Sequence, residues 1–145
     1  MKSAIIHERK NIFYIRASSR TTAGIWVDDG DCYVISIDSE YEEIGKYVRI
    51  ALNNSHSGIS HPTDWKAVND PLLKAANMKS WSTFGKTAKC VIIEMEKDIR
   101  INPTKNKSHL NQGFVGDGNS VVTIPIDVSN VELGKNIRDA WLLCE

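Results

Sequence analysis

Residues able to do chemistry are scattered along this chain of 145 residues rather than gathered into a reaction centre. Of the four histidines, His7 and His109 stand alone, and His56 and His61 share a polar loop. No nearby cysteine completes a zinc-ligand spacing with that pair. Cys32, Cys90 and Cys144 are far apart and show no CxxC. A nucleophilic thiol must be exposed and electrostatically activated, whereas Cys32 and Cys90 sit in apolar runs, so reduced core thiols in a reducing compartment are expected. The segment Gly113-Phe114-Val115-Gly116-Asp117-Gly118 is glycine-rich, but it lies between strand-like stretches and not at the strand-to-helix turn of a phosphate cradle. No catalytic residue, cofactor or metal site is therefore expected, and the chain reads as a non-enzyme.

What the charged residues can do is bind. Formal net charge is zero, yet residues 21–45 hold seven acids (Asp28, Asp29, Asp31, Asp38, Glu40, Glu42, Glu43) and no Lys or Arg, while residues 1–20 hold five bases against one acid. These acids read either as turn and helix-start carboxylates on a solvated face or as a surface for a basic partner, where complementary charge steers association. Asp28, Asp29, Asp31, Glu40, Glu42 and Glu43 are the candidate contacts. General nucleic-acid binding needs a continuous basic footprint, which the pattern lacks. Trp26, Tyr47, Trp65, Trp81, Phe84 and Trp141 are the residues from which a base-stacking platform would be built. Of these, Trp141 belongs to an apolar helical stripe, and Trp81-Ser82-Thr83-Phe84 reads as core or as a partner anchor.

The elements that must position these residues are written twice. Residues 35–51 (ISIDSEYEEIGKYVRIA) and 124–140 (IPIDVSNVELGKNIRDA) share eight identities at a constant offset of 89. The identities are Ile35, Ile37, Asp38, Glu43, Gly45, Lys46, Arg49 and Ala51 and their counterparts. Period-2 alternation predicts strands over 4–7 and 11–16 around a Glu8-Arg9-Lys10 turn. Two more strands, 24–27 and 32–37, are expected to flank an Asp28-Asp29-Gly30-Asp31 hairpin turn. A helix follows, capped by Ser39 with Glu42 in the box. The second copy repeats the plan, with strands at 89–96, 99–102, 113–115 and 120–126. Ser129 caps its helix, with Glu132 in the box.

The expected fold is thus α+β: two repeated ββββα units forming two antiparallel sheets with two main helices. A single domain of residues 1–145 is expected, divided into a first unit (1–53), an insert (54–80) and a second unit (81–145). Within the insert, Asp70 is placed as the cap of a short helix with Pro71 at its first position. Gly45 and Gly134 each cost about 1 kcal/mol against Ala inside a helix. Their retention in both copies implies close backbone approach, either helix on sheet or helix across helix. No signal-peptide-like or membrane-spanning run is present, so a cytoplasmic, soluble protein is expected.

The pattern Trp81-Ser82-x-Phe84-x-Lys86, Ile99-x-Ile101-x-Pro103, Gly113-Phe114 and Glu132-Leu133-Gly134-Lys135-x-Ile137-x-x-Ala140 covers roughly residues 79–143. It resembles the CdiI immunity proteins of bacterial contact-dependent growth inhibition; the N-terminal half matches less clearly. The resemblance implies a cytoplasmic, non-enzymatic protein that binds and blocks the C-terminal toxin domain of a cognate CdiA effector, commonly a nuclease. The acidic residues between Asp28 and Glu43 suit a basic toxin, and exposed sheet edges offer a partner strand a place to add. The duplicated unit also resembles the Whirly single-stranded-DNA-binding architecture. The alternative is accordingly a single-stranded nucleic-acid-binding module using Lys105, Lys107 and exposed tryptophans.

Overall fold

Alternating apolar residues make β1 (Lys2–Arg9) and β2 (Ile12–Thr21) an antiparallel hairpin. Its turn falls at Lys10-Asn11, both at positive φ, beyond the expected Glu8-Arg9-Lys10, because Glu8 and Arg9 continue the ladder. The computed structural model describes residues 1–145. After the hairpin come β3 (Trp26–Ser36), α1 (Tyr41–Asn53), β4 (Ser57–Ile59), α2 (Trp65–Ala76), α3 (Trp81–Thr87), β5 (Lys89–Met95) and β6 (Asp98–Asn106). A short 3-10 turn, β7 (Phe114–Gly116), β8 (Val122–Pro125) and α4 (Asn130–Leu143) complete the chain.

The fold is α+β, but the strands form one eight-stranded sheet, not two. Its order is β3-β2-β1-β5-β6-β7, with β8 also on β6 and the short parallel β4 on β2. The first strands of the two halves pair with each other, from Lys2↔Met95 to Glu8↔Lys89, which satisfies the edge each would otherwise expose. The expected four-strand units are corrected as well. Residues 26–36 are one continuous strand, so Asp28–Asp31 is not a hairpin turn. In the second half, β7 and β8 do not pair with each other. They lie end to end along β6, at Thr104–Asn106 and Asp98–Ile101, where β3 lies along β2 in the first.

Side-chain alternation divides the sheet cleanly. Phe13, Ile15, Ala4, Ile6, Ile93 and Ile101 point to one face, where Ile44, Val48, Leu52, Leu133 and Ile137 of α1 and α4 close the main core. Tyr14 and its neighbours point to the other, where Leu72 of α2 and Phe84 of α3 build a smaller core. His7 is buried there, with Trp81, Phe84 and Phe114 edge-on at 5.3, 5.8 and 5.4 Å and no partner on its Nδ1. Burial lowers its pKa below the ordinary imidazole value.

The helix glycines mark a crossing of α1 over α4. A Cβ on Gly45 would stand 2.7 Å from the carbonyl carbon of Asn130, and one on Gly134 would stand 2.7 Å from that of Tyr41. The two contacts are related by the same offset of 89 as the sequence repeat. The repeated arginines tie the halves together too. Arg49 donates to Asn130 Oδ1 at 2.8 Å, to the Ile126 carbonyl at 3.0 Å and to the Val128 carbonyl, while Arg138 pairs with Asp38 at 3.4 Å. Helix capping differs between the copies. Ser129 accepts from the Glu132 N–H as expected, but α1 starts after Glu40 and Ser39 caps nothing. In the insert, α2 starts at Trp65, five residues before Asp70: Asp64 is its cap and Pro71 lies in its interior.

Candidate partner interface

The Asp28-Asp29-Gly30-Asp31 segment makes a bulge inside β3. Ala17 pairs with Asp29 and Ile15 with Tyr33, so Gly30, Asp31 and Cys32 stand opposite the single residue Arg16. Gly30 takes φ +74, the left-handed conformation that such an irregularity favours in glycine. The bulge thus turns a strand edge into a protruding acidic rim.

Arg16 holds that rim in place. It is buried, at 2% exposure, and enters no ion pair. Its Nε and Nη2 donate to the Gly30 carbonyl at 3.2 and 3.0 Å, and its Nη1 donates to the Val68 carbonyl of α2 at 2.7 Å. Pro71 has no N–H for the Ala67 carbonyl, and the guanidinium arrives at the next carbonyl along this turn, that of Val68. One side chain therefore fastens the bulge to the insert.

Between them runs a groove of about 510 Å³ whose charged lining is Arg16, Asp28, Asp29, Asp31 and Asp64. None of the four carboxylates enters an ion pair. Asp28 and Asp29 accept from Ser18 and Ser19 hydroxyls at 3.4 and 2.9 Å, and Asp64 accepts from the Lys66 N–H. Four carboxylates against the one guanidinium leave the groove lining net negative.

Of the six acids expected to act together, the structure gathers Asp28, Asp29 and Asp31 and leaves Glu40, Glu42 and Glu43 elsewhere. Those three open α1, in the helical layer on the opposite face from α2. There Glu42 and Glu43 favour the helix dipole, and Glu42 also accepts from Asn130 of α4 at 3.2 Å. Asp64 and Arg16 were not singled out by the sequence reading. Asp64 is of an N-cap residue type, but only Lys66 and Ala67 between it and Pro71 favour a helix strongly; the role of Arg16 depends on register and carried no sequence signal.

The aromatic residues do not assemble into one stacking row. Trp141 packs edge-on against Phe13 in the main core, Phe84 is fully buried on the other face, and Trp65 stands half exposed beside His61. Lys105 pairs with Glu145 at 3.3 Å. Burial raises the pKa of all three thiols, Cys32 to about 11, which keeps them protonated and poorly nucleophilic near neutral pH. No helix is long and apolar enough to cross a membrane.

Comparison with known proteins places this architecture. The family model described as CdiI, CDI immunity protein, matches residues 2–144. Among solved structures, a Neisseria meningitidis protein of unknown function superposes with a TM-score of 0.81 at 18% identity, covering 99% of this chain and 95% of that one. A CdiA-CT/CdiI toxin and immunity complex from Yersinia pseudotuberculosis contains a chain that superposes with a TM-score of 0.79 at 18% identity, covering 99% and 97%. Comparison with curated proteins gives no match.

Proposed function

The chain belongs to the CdiI family of CDI immunity proteins, and from that membership we propose that it binds and neutralises the C-terminal toxin domain of a cognate CdiA effector, a nuclease, inside the cell that makes it. Blocking a toxin needs no reactive group, only an interface stable enough to exclude substrate. The observation that carries this reading is the groove between β3 and α2, where four carboxylates without cationic partners line a concave surface. A nuclease presents basic residues around the phosphates of its substrate. An acidic groove is complementary to that surface and speeds capture.

The contact residues are Asp28, Asp29, Asp31 and Asp64. Glu40, Glu42 and Glu43 lie outside this patch and contribute to the long-range field. Replacing Asp29 and Asp31 together by Lys leaves the Arg16 anchorage in place and reverses the sign of the rim. Isothermal titration against the cognate CdiA C-terminal domain should show affinity falling by about a hundredfold or more, and stopped-flow mixing should show the association rate losing its salt dependence. Undiminished binding by the double variant would rule out the groove as the contact. An absence of binding by the unaltered protein would rule out the immunity reading.

A further inference from the structure

Part of the sheet face that carries α2 and α3 lies open, and its residues are ordered by register. One row across the strands is Tyr14, His7 and Cys90, roofed by Phe84 and its neighbours. The next is Arg16, Ile5, Ile92 and Asn102, and the one beyond is Asp28, Ser18, Ser3, Glu94 and Arg100. Ile5 and Ile92 form the floor of an open slot of about 340 Å³, with Trp26 and Asp28 on one side and Glu94 on the other.

The two carboxylates in this slot are not equivalent. Glu94 is paired with Arg100 at 2.8 Å and accepts from Asn102 at 3.4 Å. Asp28 has only the Ser18 hydroxyl, at 3.4 Å, and belongs to none of the ion pairs. The slot therefore combines an aliphatic floor, an indole wall and one carboxylate with no cation. An apolar occupant would desolvate Asp28 without compensation, and an acidic one would be repelled. A long cationic side chain satisfies all three surfaces, since its methylenes pack on apolar surface while its head reaches the charge.

We infer that this slot receives one arginine of the toxin domain, its stem on Ile5 and Ile92 and its guanidinium between the Asp28 carboxylate and the Trp26 ring. Arginine fits better than lysine because a planar guanidinium can stack on an indole and donate in-plane to a carboxylate together. Asp28 stands on the wall shared with the acidic groove, so the arginine anchors the edge of that interface. Buried arginine and tryptophan contacts of this kind dominate interface energetics. The inference rests on the immunity reading above.

The test is a double-mutant cycle in the complex. Trp26→Ala and the nearly isosteric Asp28→Asn are titrated against the wild-type toxin domain and against variants with each surface Arg or Lys replaced by Ala. Thermal unfolding of both variants confirms folding, and the Trp26 indole N–H resonance, assigned through Trp26→Phe, reports occupancy independently. Each variant should lose at least about tenfold in affinity. One toxin Arg→Ala should cost as much against wild type and little more against Asp28→Asn, and the Trp26 resonance should shift on binding. Wild-type affinity in both variants with an unmoved resonance overturns the slot, as does coupling to a lysine or to no toxin residue. Failure of the unaltered protein to bind overturns the immunity reading itself, which separates the two results.

Discussion

Gly45→Ala should destabilise this protein, although Gly→Ala inside a helix ordinarily stabilises by about 1 kcal/mol. The added methyl would stand 2.7 Å from the carbonyl carbon and 2.8 Å from the Cα of Asn130, closer still to the carbonyl oxygen, against an ordinary contact beginning near 3.4 Å. The obstacle is backbone, so no rotamer change relieves it. The helices must separate by roughly 1 Å or more to clear the carbonyl oxygen, loosening Ile44, Val48, Leu133 and Ile137 beneath them. Overpacking of this kind costs about 1–3 kcal/mol and more where backbone must move. Net of the propensity gain, a loss of about 2 kcal/mol is expected, or a fall in Tm of roughly 4–8 °C for a chain of this size. Urea unfolding followed by circular dichroism measures it, with an unchanged m-value confirming an intact fold. Gly85→Ala is the control. Its methyl meets only the Trp81 side chain at 3.7 Å or more, so it should be neutral or stabilising. Combining Gly45→Ala with Gly134→Ala should cost less than the two separately, because helices already parted accommodate the second methyl. If Gly45→Ala proved as benign as Gly85→Ala, the helix crossing would not be the reason for the repeated glycine.

Arg16→Met should cost about 1.5–3 kcal/mol in urea unfolding, because it removes the part-buried guanidinium hydrogen bonds that tie the Gly30 carbonyl to that of Val68, and Arg16→Lys should recover only part of the loss. Ser129→Ala should lower stability by about 1 kcal/mol, whereas Ser39→Ala should leave it within about 0.5 kcal/mol, since only Ser129 caps its helix. Folded His7 resists protonation while unfolded His7 protonates below about pH 6.5. The unfolded state then binds more protons, so stability should fall as pH drops from that point toward the lowered folded value. His7→Phe should flatten that part of the stability–pH curve, and an unchanged slope would show that His7 is not its source.

The repeat made much of the fold legible. Strand pairs, the last helix and its cap, and the close approach at Gly45 and Gly134 all depend on residues near in sequence or matched at one offset. What misled is the Asp-Asp-Gly-Asp segment, because a glycine at positive φ serves a tight turn and a bulge equally well. The choice was made by β2, whose ten residues keep pairing past the irregularity, and by Arg16 opposite it. The union of the two halves into one sheet likewise depends on the β1–β5 pairing, for which neither strand carries a local mark. The acidic groove was half legible: Asp28, Asp29 and Asp31 were singled out by composition, but Asp64 joins them only through the packing of α2 against β3. Glu40, Glu42 and Glu43 were drawn into the same patch by sequence proximity, although α1 packs on the opposite face of the sheet from α2.

The Arg16 anchorage grips main-chain oxygens, and a peptide carbonyl is the same whichever side chain its residue carries. The shape of the groove is thereby insulated from the identity of the residues that line it. Asp31, exposed on the rim, can change charge or size while the guanidinium still holds Gly30 to Val68. For the toxin contact proposed above, this separates two problems that are usually entangled. On that reading, single substitutions on the rim rewrite recognition while the frame that presents it stays unchanged.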